Sequence, residues 1–329
     1  MKIAVIGATG LVGQMMLRCL EESTLPVTGL IPAASARSAG RMIPFRGTDQ
    51  TVVTVEEAVR AKPDLALFSA GGAAALQYAP LFAKAGCTVI DNSSAWRREP
   101  GVPLVVPEVN GHLIGKDDRI IANPNCSTIQ LVVALNPLHK AFGIKRIVVS
   151  TYQSVSGSGV KGLRQLDDER NSRTGEKCYP HPIDLNVIPQ GGTFLPNGIT
   201  VEEEKLIYET RKIIGDPGIA ITATVVRVPV QVSHSESVNI EFFKPVTPQQ
   251  VKEVLQSAPG IRIMDHPEES IYPTPLMAAG KDEVFVGRIR QDASLETAVD
   301  MWIVSDNVRK GAATNAVQIA EILRERNLL

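Results

Sequence analysis

The opening stretch MKIAVIGATGLVGQMMLRCLEE constrains the fold more than any other part of the chain. Lys2–Ile6 is short and apolar, and Leu11–Glu22 carries its apolar residues at helical spacing. A strand apolar on both faces that runs at once into a helix predicts a parallel sheet, covered by helices on each side. The turn between them, Gly7-Ala8-Thr9-Gly10-Leu11-Val12-Gly13, has the spacing G-x-x-G-x-x-G. Missing side chains let a backbone approach a pyrophosphate, and the helix start adds free N–H groups and a positive dipole end. A ligand-free tight turn also uses glycine, but the strand–turn–helix context favours a dinucleotide site. Its candidate contacts are Gly7, Thr9, Gly10, Leu11, Val12 and Gly13.

The choice between NAD and NADP rests on the segment after the second strand. An NAD site usually places an acid there for the ribose hydroxyls. Ala34-Ser35-Ala36-Arg37-Ser38-Ala39-Gly40 has none, and offers Ser35, Arg37 and Ser38 instead. A guanidinium with two hydroxyls suits a 2′-phosphate, so the reading is NADP.

Apolar strands at 64–69 and 87–91 and a helix near 73–85 continue the α/β alternation. After about residue 124 the pattern changes. Segments 145–153, 219–230, 233–243, 283–290 and 297–305 read as longer strands, several alternating in polarity, which predicts a mostly antiparallel sheet with one covered face. The uncovered face is a candidate for a second subunit. Segment 171–198 is rich in proline and glycine and reads as an ordered loop; the wider region 167–198 has no assigned role, and oligomer contacts apart from the chemistry are one option. Residues 311–327 read as a final helix. The fold class is thus α/β: a Rossmann-type doubly wound parallel sheet, plus an α+β catalytic and dimerisation domain with a mostly antiparallel mixed sheet. The expected domains are 1–124 with 308–329, and 125–307.

A net charge of −1 in 329 residues, with no basic run, argues against a nucleic-acid partner. No apolar run reaches the length of a membrane helix. The N-terminus reads as a folded strand rather than a signal peptide, which makes the cytoplasm the expected compartment. The four cysteines, 19, 87, 126 and 178, are widely spaced, so neither a metal cluster nor a disulfide framework is expected.

Cys126 differs from the other three. Asn123-Pro124 ends an extended segment and an apolar helical run follows, placing Cys126 near a helix N-terminus. There the dipole and free N–H groups favour a thiolate and the oxyanion formed when it attacks a carbonyl. Cys19, Cys87 and Cys178 read as inert. Of five histidines, His234 ranks narrowly first as the base, in a strand-like segment with polar neighbours. His139 reads as a helix C-terminal capping charge, and His112, His181 and His266 as solvated turn residues.

Eight segments in order carry a resemblance over nearly the full length: GATGLVG, ASARSAG, DNSSAWRREPGVPLVVPEVN, NPNCSTIQ, STYQSVSGSG, RVPVQVSHSESVNIEF, FVGRIR and MWIVSDNVRKGAA. The chain resembles the aspartate-β-semialdehyde dehydrogenases. That resemblance implies NADPH-dependent reduction of L-4-aspartyl phosphate to L-aspartate 4-semialdehyde, on the route to lysine, threonine and methionine. It implies that Cys126 is the nucleophile, His234 the acid/base and Gln153 the residue that orients substrate. It further implies that Arg227 clamps the substrate carboxylate, that Arg97 and Asn125 contact phosphate, and that Glu202 and Lys205 bind substrate amine and phosphate. Ser156, Gly157 and Gln318 match cofactor contacts, no metal is implied, and the expected assembly is a homodimer or tetramer. Arg227 and His234 are seven apart, which on one unbroken strand would place them on opposite faces; Pro229 offers a break. Rival readings are N-acetyl-γ-glutamyl-phosphate reductase, glyceraldehyde-3-phosphate dehydrogenase, and a non-catalytic paralogue acting as a binding protein.

Overall fold

The computed structural model describes all 329 residues and divides into two compact units, 1–125 with 312–329, and 126–311. In the first unit β1 (Lys2–Ile6) leads through the glycine turn into α1 (Leu11–Glu22) and β2 (Gly29–Ala34). An antiparallel hairpin follows, β3 (Met42–Phe45) and β4 (Thr48–Thr51), then β5 (Val53–Thr54) and α2 (Val55–Arg60). The remaining elements are β6 (Leu65–Phe68), α3 (Gly72–Lys84), β7 (Thr88–Asp91), the short α4 (Pro107–Asn110) and β8 (Ile120–Ala122).

The sheet order is β5-β2-β1-β6-β7-β8, with every pairing parallel. The order reverses between β1 and β6, which is where such sheets open a ligand crevice at their carboxyl ends. Strand residues alternate between two cores. Ile3, Val5, Leu65 and Leu67 pack with α1 and the C-terminal helix Thr314–Glu325, while Ala4, Ile6, Ala66 and Phe68 pack with Ala75, Ala79 and Phe82 of α3. Burial on both faces explains why these strands read as unbroken apolar runs.

The second unit begins with α5 (Cys126–Phe142), β9 (Ile144–Gln153), α6 (Gly159–Arg170) and α7 (Val201–Ile214). It continues through β10 (Ala220–Arg227), β11 (His234–Phe242), α8 (Pro248–Gln256) and β12 (Ile261–Ile263). It ends with α9 (Pro275–Ala278), β13 (Val284–Gln291) and β14 (Ala298–Ser305). The order is β10-β9-β11-β14-β13-β12; the two outer pairings are parallel and the three inner ones antiparallel. α5 packs on β9, β11, β13 and β14, over buried Ile147, Val149, Val238, Ile240, Met301 and Ile303. The opposite face carries Tyr152 and Trp302, whose ring centroids lie 5.2 Å apart. Alternating polarity therefore reported one helix-covered face.

The structure adds to three of these expectations. The final helix starts at Thr314, not 311, because Arg309–Ala313 forms a π-turn in which the Gly311 N–H reaches back to the Asp306 carbonyl at 3.0 Å. Segment 171–198 has no helix or strand, yet it does touch residues expected to do chemistry. Tyr179, Ile183 and Ile188 pack on Val155 and Leu166, and Ile188 exchanges backbone hydrogen bonds of 2.8 and 2.9 Å with Arg227. His139 lies in the last turn of α5 as expected, where its Nδ1 accepts the Ile144 N–H at 3.1 Å and its Nε2 stands 3.6 Å from Asp216 Oδ2.

Candidate active site

In the first unit the dinucleotide turn has the shape its sequence implied. Gly7 adopts φ +86°, and a Cβ there would stand 2.4 Å from the Ser69 carbonyl oxygen at the end of β6. A side chain is excluded on steric as well as conformational grounds, and the turn lies at the point where strand order reverses. Gly10 caps α1 with no side-chain hydrogen bond, and no acid lies in the first turn. These helix-start donors and the bare backbone fit a pyrophosphate. Thr9, Leu11 and Val12 are partly exposed around it. Ser35 and Arg37 are exposed just beyond β2, whereas Ser38 is buried. Gln318, on the C-terminal helix, donates to Glu108 at 3.4 Å.

Arg97 and Asn125 also lie in this unit, both buried. Arg97 donates to the Asn123 and Asn92 carbonyls at 2.9 and 2.7 Å, which binds its guanidinium to the ends of β8 and β7. Asn123, expected only to end the extended segment, also shapes the loop before Cys126. Its amide donates to the Ala312 carbonyl at 3.2 Å and accepts from Asn315 at 2.6 Å.

In the second unit, Cys126 is the first residue of α5 and is partly exposed. The other half-buried cysteine, Cys178, lies in the 171–198 loop; Cys19 and Cys87 are buried. Desolvation by burial pushes the Cys87 thiol up to about 12. Gln153 ends β9 and donates from Nε2 to Ser127 Oγ at 2.9 Å, which ties it to the residue after Cys126. In register, Arg227 at the end of β10 pairs with Gln153, and Ser235 of β11 pairs with Tyr152. His234 thus falls beside Gln153 on the other flank of β9.

The seven-residue spacing is resolved by the turn between β10 and β11. Arg227 and His234 lie on different strands, either side of β9, and Ser233 at φ +74° closes the link. Both side chains converge on Gly157. A Cβ there would meet an Arg227 guanidinium nitrogen at 2.6 Å and His234 Nε2 at 3.0 Å. Gly157 itself is exposed, so the junction has an outlet. The π-turn closes another side, since a Cβ on Gly311 would stand 3.0 Å from the Cys126 Cβ. π-turns inside helices recur at functional sites.

Glu202 and Lys205 form an ion pair on the first turn of α7, with side chains 15% and 22% exposed, so this is no solvated helix start. A Thr200–Glu203 capping box fixes the turn, and Glu203 also accepts the Val225 N–H at 2.9 Å, two residues before Arg227.

The electrostatics favour a neutral histidine. His234 is fully buried, and its pKa lies well below the usual imidazole range, through desolvation first and the Arg227 cation second. The Ser154 N–H donates to Nδ1 at 3.0 Å, so the resting ring carries its proton on Nε2. Nε2 and Gln153 Oε1 are buried and have no partner within the protein. Ser154 and Asn307 were missed from sequence, and Ser127 stood there only as part of the polar frame of Cys126. The available signal was a run of polar residues where strands end: Gln153-Ser154 at the end of β9 and Ser305-Asp306-Asn307 at the end of β14.

Glu236 lies two residues beyond His234 on the same face of β11, fully buried. Burial holds its carboxyl well above the usual range; Gln130 tempers this, although neither carboxyl oxygen meets hydrogen-bond geometry. The folded chain therefore keeps a proton that the unfolded chain releases at its ordinary acidic pKa. The stability contributed by this group is full below the unfolded pKa and is lost as pH rises toward the folded pKa. Glu236→Gln removes that loss. Thermal midpoints followed between about pH 5 and 8 should fall less with pH in the variant than in the wild type. Parallel curves would show that Glu236 is ionised in the fold.

Comparisons with known proteins place the chain in a family. Residues 2–116 match the family model "Semialdehyde dehydrogenase, NAD binding domain", and residues 135–310 match "Semialdehyde dehydrogenase, dimerisation domain". The two matches together define an oxidoreductase of the semialdehyde dehydrogenase class. An aspartate-semialdehyde dehydrogenase of Aquifex aeolicus is 50% identical, over 100% of this chain and 99% of its own length. Aspartate semialdehyde dehydrogenase II of Vibrio cholerae, solved in complex with ASA, is 45% identical with a TM-score of 0.94, covering 98% of both chains. The Candida albicans enzyme solved with NADP is 28% identical with a TM-score of 0.77, covering 100% of this chain and 99% of its own. The chain belongs to the aspartate-semialdehyde dehydrogenase family. The acylated-substrate, glyceraldehyde-3-phosphate and non-catalytic readings are not favoured.

Proposed function

We propose that the chain reduces L-4-aspartyl phosphate to L-aspartate 4-semialdehyde with NADPH, through a thioester on Cys126. The observation that carries this reading is the junction at Gly157. There the guanidinium of Arg227 and the partnerless Nε2 of His234 lie beside Gln153, which is hydrogen-bonded to the residue following Cys126.

In the oxidative direction, thiolate Cys126 attacks the aldehyde carbon and forms a thiohemiacetal. NADP⁺, when bound, supplies the hydride acceptor that converts this adduct to a thioester. Phosphate then attacks the acyl carbon and expels the Cys126 thiolate, giving aspartyl phosphate. The α5 N-terminus stabilises the thiolate and the oxyanion. Gln153 orients the acyl group, and His234 exchanges a proton with the adduct oxygen. Arg227 holds the α-carboxylate in a bidentate pair, Glu202 the ammonium, and Arg97, Asn125 and Lys205 the phosphate. Residues 1–124 with 308–329 serve as the cofactor domain and 125–307 as the catalytic and dimerisation domain, with the Tyr152–Trp302 face of the sheet as the surface for a second copy. No helix is long and apolar enough to cross a membrane, and a biosynthetic role fits the cytoplasm. Incubation with NADP⁺, phosphate and aspartate semialdehyde should raise the reduced-nicotinamide absorbance; no change with this aldehyde would end the proposal.

NADP rather than NAD is favoured by the acid-free loop after β2, with exposed Arg37. Arg37→Ala should weaken NADP and leave NAD nearly unchanged. A hydrogen bond to a charged group is worth about 1.5–3 kcal/mol, roughly 10- to 150-fold in Kd. Equal losses for both cofactors would remove Arg37 from 2′-phosphate recognition.

A further inference from the structure

To exchange a proton at Nε2, a neutral imidazole must hold its other proton on Nδ1; a ring that lost its only proton would be an imidazolate. The resting geometry is arranged the other way, because the Ser154 N–H points at Nδ1. One side chain meets that nitrogen: Ser154 Oγ, at 3.1 Å. Behind it stands Asn307. Its Oδ1 lies 3.1 Å from Ser154 Oγ, 3.1 Å from Ser156 Oγ and 2.8 Å from the Ser233 N, and its Nδ2 donates to Ser156 Oγ at 3.0 Å. Ser154, Ser156, Ser233 and Asn307 are all buried, so these bonds do not compete with bulk water.

From this geometry we infer that Ser154 and Asn307 are a positioning pair that lets His234 carry a proton on Nδ1 during turnover. The inference rests on the acid/base role proposed for His234. In the resting ring, Nδ1 accepts from Ser154. When Nδ1 bears a proton it no longer accepts the Ser154 N–H, so that bond is given up; the Ser154 hydroxyl turns, accepts from Nδ1–H and gives its own hydrogen bond to Asn307 Oδ1. No proton leaves the pair; one hydroxyl reverses its sense. Asn307 suits this task because its carbonyl oxygen can only accept, while its amide is held by Ser156. Ser156 thereby acquires a structural duty beside the cofactor contact expected of it.

The charged and titratable groups around the ring do not substitute for the pair. Arg227, at the end of β10, disfavours a charged ring. Glu236 lies further along β11 on the same face, Cys126 heads α5, and the buried Lys310 belongs to the π-turn beside Cys126. Ser154 is the side chain that hydrogen-bonds to Nδ1, while a backbone hydrogen bond of Ser233 also favours the charged ring.

Two variants test the pair in opposite directions. Ser154→Ala keeps the backbone donor and removes the acceptor for Nδ1–H. It should lower kcat by roughly 10- to 100-fold with little change in KM or NADP affinity, and shift the acidic limb of the pH–rate profile downward. Asn307→Asp keeps the acceptor and makes it anionic, so it should move that limb upward. ¹⁵N spectra of the folded wild type give a readout independent of activity, and five histidines keep them simple. The His234 signal should show an unprotonated Nδ1 at neutral pH. A protonated resting Nδ1 would overturn the inference, as would two folded variants with wild-type pH profiles. If the wild type failed to turn over aspartate semialdehyde, the proposed function would fall, while the spectra would still judge the tautomer.

Discussion

Cys126→Ser is expected to abolish turnover while the fold and the affinity for NADP stay as they are. Loss of a covalent nucleophile typically costs on the order of 10⁴- to 10⁶-fold in kcat. The alcohol is no substitute, because its ionisation lies far above that of a thiol and it leaves poorly from the acyl intermediate. Little else should change. Cys126 is partly exposed at the start of α5, so a smaller oxygen there opens no core cavity. The same reasoning ranks the thiols toward iodoacetamide. Cys126 combines access with the positive end of a helix, whereas the Cys87 thiol, pushed up to about 12, should stay unlabelled near neutral pH. Cys178 is the internal control, being half-buried but in a loop without a helix terminus. Labelling at Cys178 ahead of Cys126, or a serine variant with near-normal turnover, would end the covalent mechanism.

What the sequence could reveal tracks the range of the interactions involved. The β1–turn–α1 unit was legible because local periodicity and glycine spacing determine it, and the bounds read from sequence coincide with those of the fold. The mixed sheet was legible as a type, since a half-covered face writes alternation into β9 and β11. Strand order was not legible, because it depends on pairings between distant segments. The same limit hid the site's supporting residues. Asn307 reaches Ser154 across 153 positions, and Ser127 meets Gln153 across 26, so neither pairing leaves a local pattern. Glu202 and Lys205 show the reverse case. On periodicity alone they belong to a solvated helix start; capping to Thr200, the bond that Glu203 accepts from β10 and the Glu202 N–H bond to the Gly191 carbonyl draw them inward. The π-turn was invisible for a related reason: its register is set by the Asp306 carbonyl and by the fit of Gly311 against Cys126, not by helix propensity.

Arg227→Lys should impair the enzyme almost as a deletion would, although it preserves charge. Arg227 is buried at the end of β10, its backbone is bound on both sides of the peptide to Ile188, and one guanidinium nitrogen lies 3.4 Å from the Ser154 carbonyl. The side chain is thus aimed by the fold before substrate arrives, and a planar fork so fixed can give a carboxylate two parallel bonds. Lysine offers a single ammonium on a flexible stem and cannot reproduce the pair. Losing one charge-assisted bond of about 1.5–3 kcal/mol predicts a fall of roughly 10- to 150-fold in kcat/KM for aspartate semialdehyde, with NADP affinity unchanged. Arg227→Ala should fall further and differ in kind. It removes the cation that helps depress His234, so the acidic limb of its pH–rate profile should rise, while the lysine variant keeps that limb near its wild-type position. Measuring kcat/KM across pH for both variants separates the two duties of the residue. A lysine variant with wild-type kcat/KM would show that charge alone suffices and that no bidentate clamp exists. An alanine variant with an unmoved limb would show that Arg227 does not set the ionisation of His234.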